Sequence, residues 1–299
     1  MAVKKDESVL ILTDDKKIEI GKALYEEAKD LAKEAVLMVM KPRKVSGEEP
    51  PEAVAKTMKN FDVIICPTST SITHTNAKIN AVKNGARLGS MPGITEEMFN
   101  KGAITADYKL VENLTLKITD MLNKAKSARI EKEEYILEMS LEGRNGIPST
   151  GVYREPGQSG NLPSGEAYIA PLEGTASGTM KIDGSMVGIG KLNNPLYVKI
   201  SEGKLTEITG DEKDKVSILL ENDRNATLGE LGIGTNHAAR LTGVILEDEK
   251  IFGTVHIAFG TNISFGGVNK ADCHLDGVIL EPTLYLDDRL IIEKGKFVV

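Results

Sequence analysis

The sequence predicts an α/β N-terminal domain with a mainly parallel sheet, followed by a β-rich α+β C-terminal domain. Three observations predict it. From Ser8 to about Lys126, short unbroken apolar runs alternate with amphipathic segments, the pattern of doubly wound strands covered by helices on both faces. Further on, short β-like runs are separated by glycine-rich turns. Between these textures, KSARIEKEEY (126–135) is charged and apolar-poor at its start, which places the boundary there and gives domains 1–127 and 128–299.

In the first domain SVLIL (8–12) reads as a strand. Lys17 to Glu34 reads as a helix whose apolar face carries Ile18, Ile20, Leu24, Ala28, Leu31 and Ala32. AVLMVM (35–40) is a second buried strand, closed off by Lys41-Pro42. Pro50 and Pro51 open a helix over Glu52–Lys59, where a missing amide is harmless. FDVIICP (61–67) is a third strand. Ligands of such folds gather beyond the carboxyl ends of strands, and the loop TSTSITHTNA (68–77) puts His74 at one. Asn76–Asn84 and Asp107–Ala125 read as helices, with RLGSMPG (87–93) between them. In the second domain the β-like runs are YILEMS, PLYVKI, LTEIT, VSILLE, IFGTVHIAF, GVILEP, LYLD, LIIE and KFVV. SEGK (201–204), LDDR (286–289) and EKGK (293–296) are the hairpin turns.

Composition narrows the function. The 299 residues suffice for two cores, and a net charge of −7 argues against a nucleic-acid binder, which needs a basic surface. Cys66 and Cys273 make no disulfide framework, which points to a reducing, cytoplasmic setting. The N-terminal apolar run is too short for a signal-peptide core, and Ala35–Met40 falls far below the ~20 residues of a membrane span. No membrane association is expected.

Chemistry concentrates between Leu228 and Asp276. Three of the four histidines, His237, His256 and His274, fall there among glycines and acidic residues. His274 and Asp276 form a His-x-Asp pair, whose side chains point the same way on a strand. His256 lies in IFGTVHIAF, on a face shared by Phe252, Thr254 and Ala258. Two imidazoles and a carboxylate converging from two strands suit a divalent metal such as zinc, cobalt, manganese or iron. Glu166, in SGNLPSGEAYIAP, and Glu230, in ATLGELGIGTN, are further acidic candidates. Other chemistries lack support. There is no Gly-x-Ser-x-Gly elbow and no P-loop, and GELGIG (229–234) is an incomplete dinucleotide fingerprint. Cys273 adjoins His274, so it faces the opposite side of a strand.

The segments SITHTNAKINAVKNGARLGSMPGITEEM (71–98), NLPSGEAYIAP (161–171), LGELGIGTN (228–236), EDEKIFGTVHIAFG (247–260) and CHLD (273–276) carry a resemblance. The chain resembles the aminopeptidase T (thermophilic leucyl aminopeptidase) family of metallopeptidases, itself similar to the 2,5-dihydroxypyridine ring-cleaving dioxygenases. The resemblance implies metal ligands at Glu166, Glu230, His256, His274 and Asp276, with Glu166 and His74 catalytic. It implies two divalent ions per chain (Zn, Co, Mn or Mg), hydrolysis of N-terminal residues from peptides, and a homodimer. The alternative is a mononuclear Fe(II) ring-cleaving dioxygenase of a small molecule, with His256, His274 and Asp276 as ligands and His74 as general base. A third reading is a catalytically impaired metal-binding homologue. At one point the chain departs from the peptidases. Gly260-Thr261-Asn262-Ile263 lacks the tyrosine that would bind the tetrahedral intermediate, leaving Asn262 or His74 to replace it. Loss of one such donor typically costs ~100- to 1000-fold in rate.

Overall fold

The computed structural model describes residues 1–73 and 75–299, and contacts divide them into two compact units. The first comprises Met1–Tyr108 and Gly151–Ser164, the second Lys109–Thr150 and Gly165–Val299. The anticipated single cut after residue 127 thus differs from this interleaved division. Helix Tyr108–Lys124 turns Ile118 and Leu122 into the core of the second unit. Strand Ser159–Asn161 returns to the sheet of the first.

The first unit is built on a five-stranded parallel sheet in the order Glu34–Met40, Ser8–Asp14, Val63–Thr68, Arg87–Pro92, Ser159–Asn161. The apolar runs form its buried strands as the pattern predicts, and Val9, Leu10, Ile11 and Leu12 are all fully buried. Arg87–Pro92, anticipated only as a connection, is the fourth strand. Gly89, Ser90 and Pro92 dilute its apolar signal, yet Leu88 and Met91 pack inside.

The second unit stacks two largely antiparallel sheets, of eight and seven strands, around one core. All three anticipated hairpins form, joining Leu196–Ser201 to Lys204–Thr209, Thr283–Leu286 to Arg289–Glu293, and the latter to Lys296–Phe297. VSILLE is not a strand. All but its last residue lies in a 3₁₀ segment, Lys213–Leu220, kinked at Val216, that buries Val216 and Leu219. The strand in IFGTVHIAF starts only at Val255, and Phe252 sits in the preceding turn, 41% exposed. No helix of the described residues is long and apolar enough to cross a membrane.

Candidate metal centre

Three neighbouring strands of the seven-stranded sheet, Leu228–Gly234, Val255–Gly260 and His274–Ile279, together with Glu166–Ile169, build the site. On the central strand Val255, Ile257 and Phe259 enter the core, so alternation sends His256, Ala258 and Gly260 to the opposite face. Cross-strand register then sets each chemically active side chain against a small one. Glu230 and Asp276 flank Ala258, His256 faces Gly232, His274 faces Gly260, and Glu166 faces Gly234. The small residues leave a shallow floor over which the long polar side chains lean together. Gly232 is the tightest case: a Cβ there would lie 1.9 Å from His256 Nε2.

The convergence is close. His256 Nε2 lies 3.4 Å from both Glu166 Oε2 and Glu230 Oε1. His274 Nε2 lies 3.3 Å from Glu230 Oε2 and 3.4 Å from Asp276 Oδ1. Metal–ligand bonds of about 2.0–2.2 Å separate adjacent donor atoms by about 3 to 3.6 Å, so these spacings match edges of a coordination polyhedron. Donor atoms of Glu230, His256 and Asp276 lie within 4.8 Å of one another, as do those of Glu166, Glu249 and His256. His274 Nδ1 donates to the Thr261 carbonyl at 2.8 Å, which fixes the ring and turns Nε2 toward the carboxylates. Both ring nitrogens of His256 and Glu166 Oε2 are buried without a hydrogen-bond partner among the described residues. Buried polar atoms are nearly always paired, so His256 Nε2 and Glu166 Oε2, left bare 3.4 Å apart, are suited to hold a cation.

Electrostatics point the same way. Burial alone would raise the Glu230 carboxyl, but the His256 and His274 imidazoles hold it down at about 2. Burial alone would lower His256, yet Glu230, Glu166 and Glu249 lift it to about 9; Asp276 and Glu230 likewise raise His274. An acid-rich pocket of this kind binds a positive charge, as a proton or as a metal.

All five sequence-predicted ligands, Glu166, Glu230, His256, His274 and Asp276, therefore meet on one face. His74 lies outside the described residues, and His237 is exposed. Sequence reasoning missed Glu249 and Lys250. Glu247–Lys250 are four consecutive charged residues, which ordinarily mark a solvated surface, but Glu247, Asp248 and Lys250 are 0% exposed and Glu249 8%. Asp248 accepts from the Thr242 and Gly243 amides, and Glu247 from the Arg240 amide. Lys250 Nζ donates to Glu166 Oε1 at 2.5 Å and to Glu249. Burial would lower the lysine, but Glu166 and Glu249 outweigh it and keep the ammonium charged. Burial pushes the Glu249 carboxyl up to about 8, with the Lys250 ammonium pulling it down and the nearby Glu166 charge adding to the rise. The apolar residues on either side, Ile245 and Leu246 before the charges and the buried strand from Val255 after them, were the one available clue.

Of the two residues considered as a replacement oxyanion donor, Asn262 is the one the structure describes. Asn262 is fully buried and its amide is used, donating to Glu173 at 2.8 Å and accepting from the Asn269 amide at 2.9 Å. The chain thus offers no replacement for the peptidase tyrosine at this position.

Comparison with known proteins fits this geometry. The family model for 2,5-dihydroxypyridine 5,6-dioxygenase matches residues 1–299. The 2,5-dihydroxypyridine 5,6-dioxygenase of Pseudomonas putida is 27% identical over 168 residues, 51% of this chain and 48% of that protein, so the match spans about half of the relative. The solved 2,5-dihydroxypyridine dioxygenase of P. putida KT2440 superposes with a TM-score of 0.81 at 20% identity, covering 99% of this chain and 93% of that one. AmpT from Thermus thermophilus superposes with a TM-score of 0.74 at 15% identity, covering 99% and 95%. At such identities both solved structures establish the fold alone, the α/β and β-rich arrangement the sequence predicts. The expectation of a hydrolytic metallo-aminopeptidase is overturned, since the family matched over the whole chain is one of oxidoreductases. The chain belongs to the 2,5-dihydroxypyridine 5,6-dioxygenase family.

Proposed function

We propose that this protein is a ring-cleaving dioxygenase that adds both atoms of O2 to a small hydroxylated nitrogen heterocycle of the 2,5-dihydroxypyridine type, using Fe(II). The observation that carries the reading is the meeting of His256 Nε2, His274 Nε2 and the Asp276 carboxylate on one sheet face. Two imidazoles and one carboxylate are the ligand set of non-haem iron oxygenases, which leave positions open for dioxygen and substrate. When bound, iron supplies the one-electron chemistry that allows O2 to react with an aromatic ring.

The chain's own residues do the remaining work. Thr261 fixes the His274 ring through Nδ1. Glu230, between the imidazoles, adds negative charge that favours a dication over a neutral guest. The His274 side chain is 24% exposed, whereas that of His256 is 0%, so the centre opens on the His274 side. Aromatic side chains stand at that opening. Phe265 meets His274 edge-on at 5.9 Å between centroids, and Tyr168 meets Phe265 edge-on at 5.4 Å. Tyr168 shares its strand face with Glu166, two residues away. This corner suits a flat ring beside the metal. His74 is the proposed general base toward a ring hydroxyl.

The test is oxygen uptake. Protein loaded anaerobically with Fe(II) and given 2,5-dihydroxypyridine should consume one O2 per ring, with loss of the heteroaromatic absorbance. Iron-loaded protein that leaves 2,5-dihydroxypyridine and its hydroxylated relatives untouched would sink the proposal.

A further inference from the structure

We propose that Lys250 is a built-in cation that fills the second of two adjoining cation positions and so limits the centre to one divalent metal. The inference rests on the reading that this face holds a metal, and it goes beyond it by assigning Lys250 the part that excludes a second ion.

Two groups of donor atoms share His256: Glu230 with Asp276 on one side, Glu166 with Glu249 on the other. Two adjoining donor groups of this kind could each take a cation, in keeping with the two ions that the five ligands of the resemblance, mostly carboxylate, implied. The second position, however, already holds a positive charge. Lys250 Nζ is 2.5 Å from Glu166 Oε1 and bonds Glu249 as well, with its side chain 0% exposed. An ammonium has donors only, so it occupies the carboxylate oxygens a metal would need and offers no lone pair in return.

The lysine is held in place by its backbone. Its amide donates to the Glu247 carbonyl at 3.0 Å, and its carbonyl accepts from the Asn236 amide at 2.9 Å. Withdrawal would strand two buried carboxylates. On the other side, Glu166 Oε2 and His256 Nε2 stay unpartnered among the described residues, 3.4 Å apart, at the edge of the open position. The arrangement also gives Glu166 and Glu249 a use in a one-metal centre. They bind the ammonium.

Metal counting tests this. The full chain is stripped with chelator, incubated with excess Mn²⁺, gel-filtered and analysed for metal per protein, with EPR on the same samples. Wild type should retain one Mn²⁺ with an uncoupled six-line spectrum. Lys250→Met, which keeps the stem and removes the charge, should retain two with an exchange-coupled spectrum, and Mn²⁺ should raise its Tm more than that of wild type. Two ions in wild type, or one in folded Lys250→Met, overturns the proposal. Should Lys250→Met fail to fold, Glu249→Gln decides. Because its carboxylate accepts from Lys250 and is not one of the three proposed iron ligands, the change should leave the count at one and the Mn²⁺ Kd within about threefold. A loss of tenfold or more would make Glu249 a ligand and overturn the idea. None of these readouts depends on turnover. A shift from one ion to two in a protein inactive on heterocycles would leave Lys250's role standing and reject the reaction; the reverse outcome would do the opposite.

Discussion

Each unit buries an ion pair, and the two pairs are finished differently. In the first unit Arg87, its side chain 2% exposed, donates to Glu7 Oε1 at 2.8 Å and Oε2 at 2.7 Å. Its remaining donors reach the Met1 and Ala2 carbonyls. In the second unit Lys250 is as deeply buried and doubly paired, yet the atoms next to it, Glu166 Oε2 and both nitrogens of His256, are left bare among the described residues. A buried charge with every polar neighbour satisfied is structural. One that borders unsatisfied donor atoms belongs to a site prepared for a ligand.

Substitutions can break this contrast. The largest effect is expected at a proposed ligand: Asp276→Ala should weaken metal binding by more than about 100-fold, since even the outer partners of ligands are worth 10–100-fold. Equilibrium dialysis measures it, and retained affinity would remove Asp276 from the centre. In the first unit Glu7→Gln should cost about 3–5 kcal/mol in urea unfolding, because it strands the Arg87 guanidinium. It should leave metal content unchanged. A loss below about 1 kcal/mol would make the Arg87–Glu7 pair an ordinary surface contact.

The pH dependence should also separate the two. Arg87 holds the Glu7 carboxyl below its usual range, so the pairing stabilises at neutral pH and is lost as pH falls through that lowered value. His256 behaves oppositely. With its pKa raised to about 9 against a usual value of 6.5, the stabilisation from its charged form is complete below about 6.5 and lost as pH rises through 9. Metal-free protein should therefore weaken on the alkaline side, in thermal melts that metal-loaded protein does not follow. Loading should release protons at neutral pH, measurable in a pH-stat.

Gly232→Ala sharpens the role of the small residues. Its Cβ would meet His256 Nε2 at 1.9 Å, so the imidazole must shift. The expected cost is about 1–3 kcal/mol in stability, with metal affinity lowered by tenfold or more. The smallest effect is expected at the aromatic corner. Phe265→Leu should raise KM for a heterocyclic substrate by about 2- to 10-fold, the value of one aromatic contact, with metal content unchanged.

Much of the site was legible from alternation. The His-x-Asp pair was expected to share a face, and His274 and Asp276 do, with donor atoms 3.4 Å apart. His256 and the two glutamates join them. The strand Leu228–Gly234 was less legible, because its glycines interrupt the apolar alternation; they leave room beneath His256 and opposite Glu166. The peptidase reading came from the resemblance, and it was preferred to the dioxygenase because Glu166 and Glu230 are both retained, a count made without Lys250.

By itself the sequence determined the division between a parallel and an antiparallel half, and that His274 and Asp276 could converge with His256, because period-two patterning is local; Glu166 and Glu230 were reached through the resemblance. Only the tertiary structure decided that Glu247–Lys250 is interior. The ammonium of that run is met by Glu166, 84 residues away. Burial of an ion depends on what the fold brings to meet it, and spacing along the chain carries no record of that.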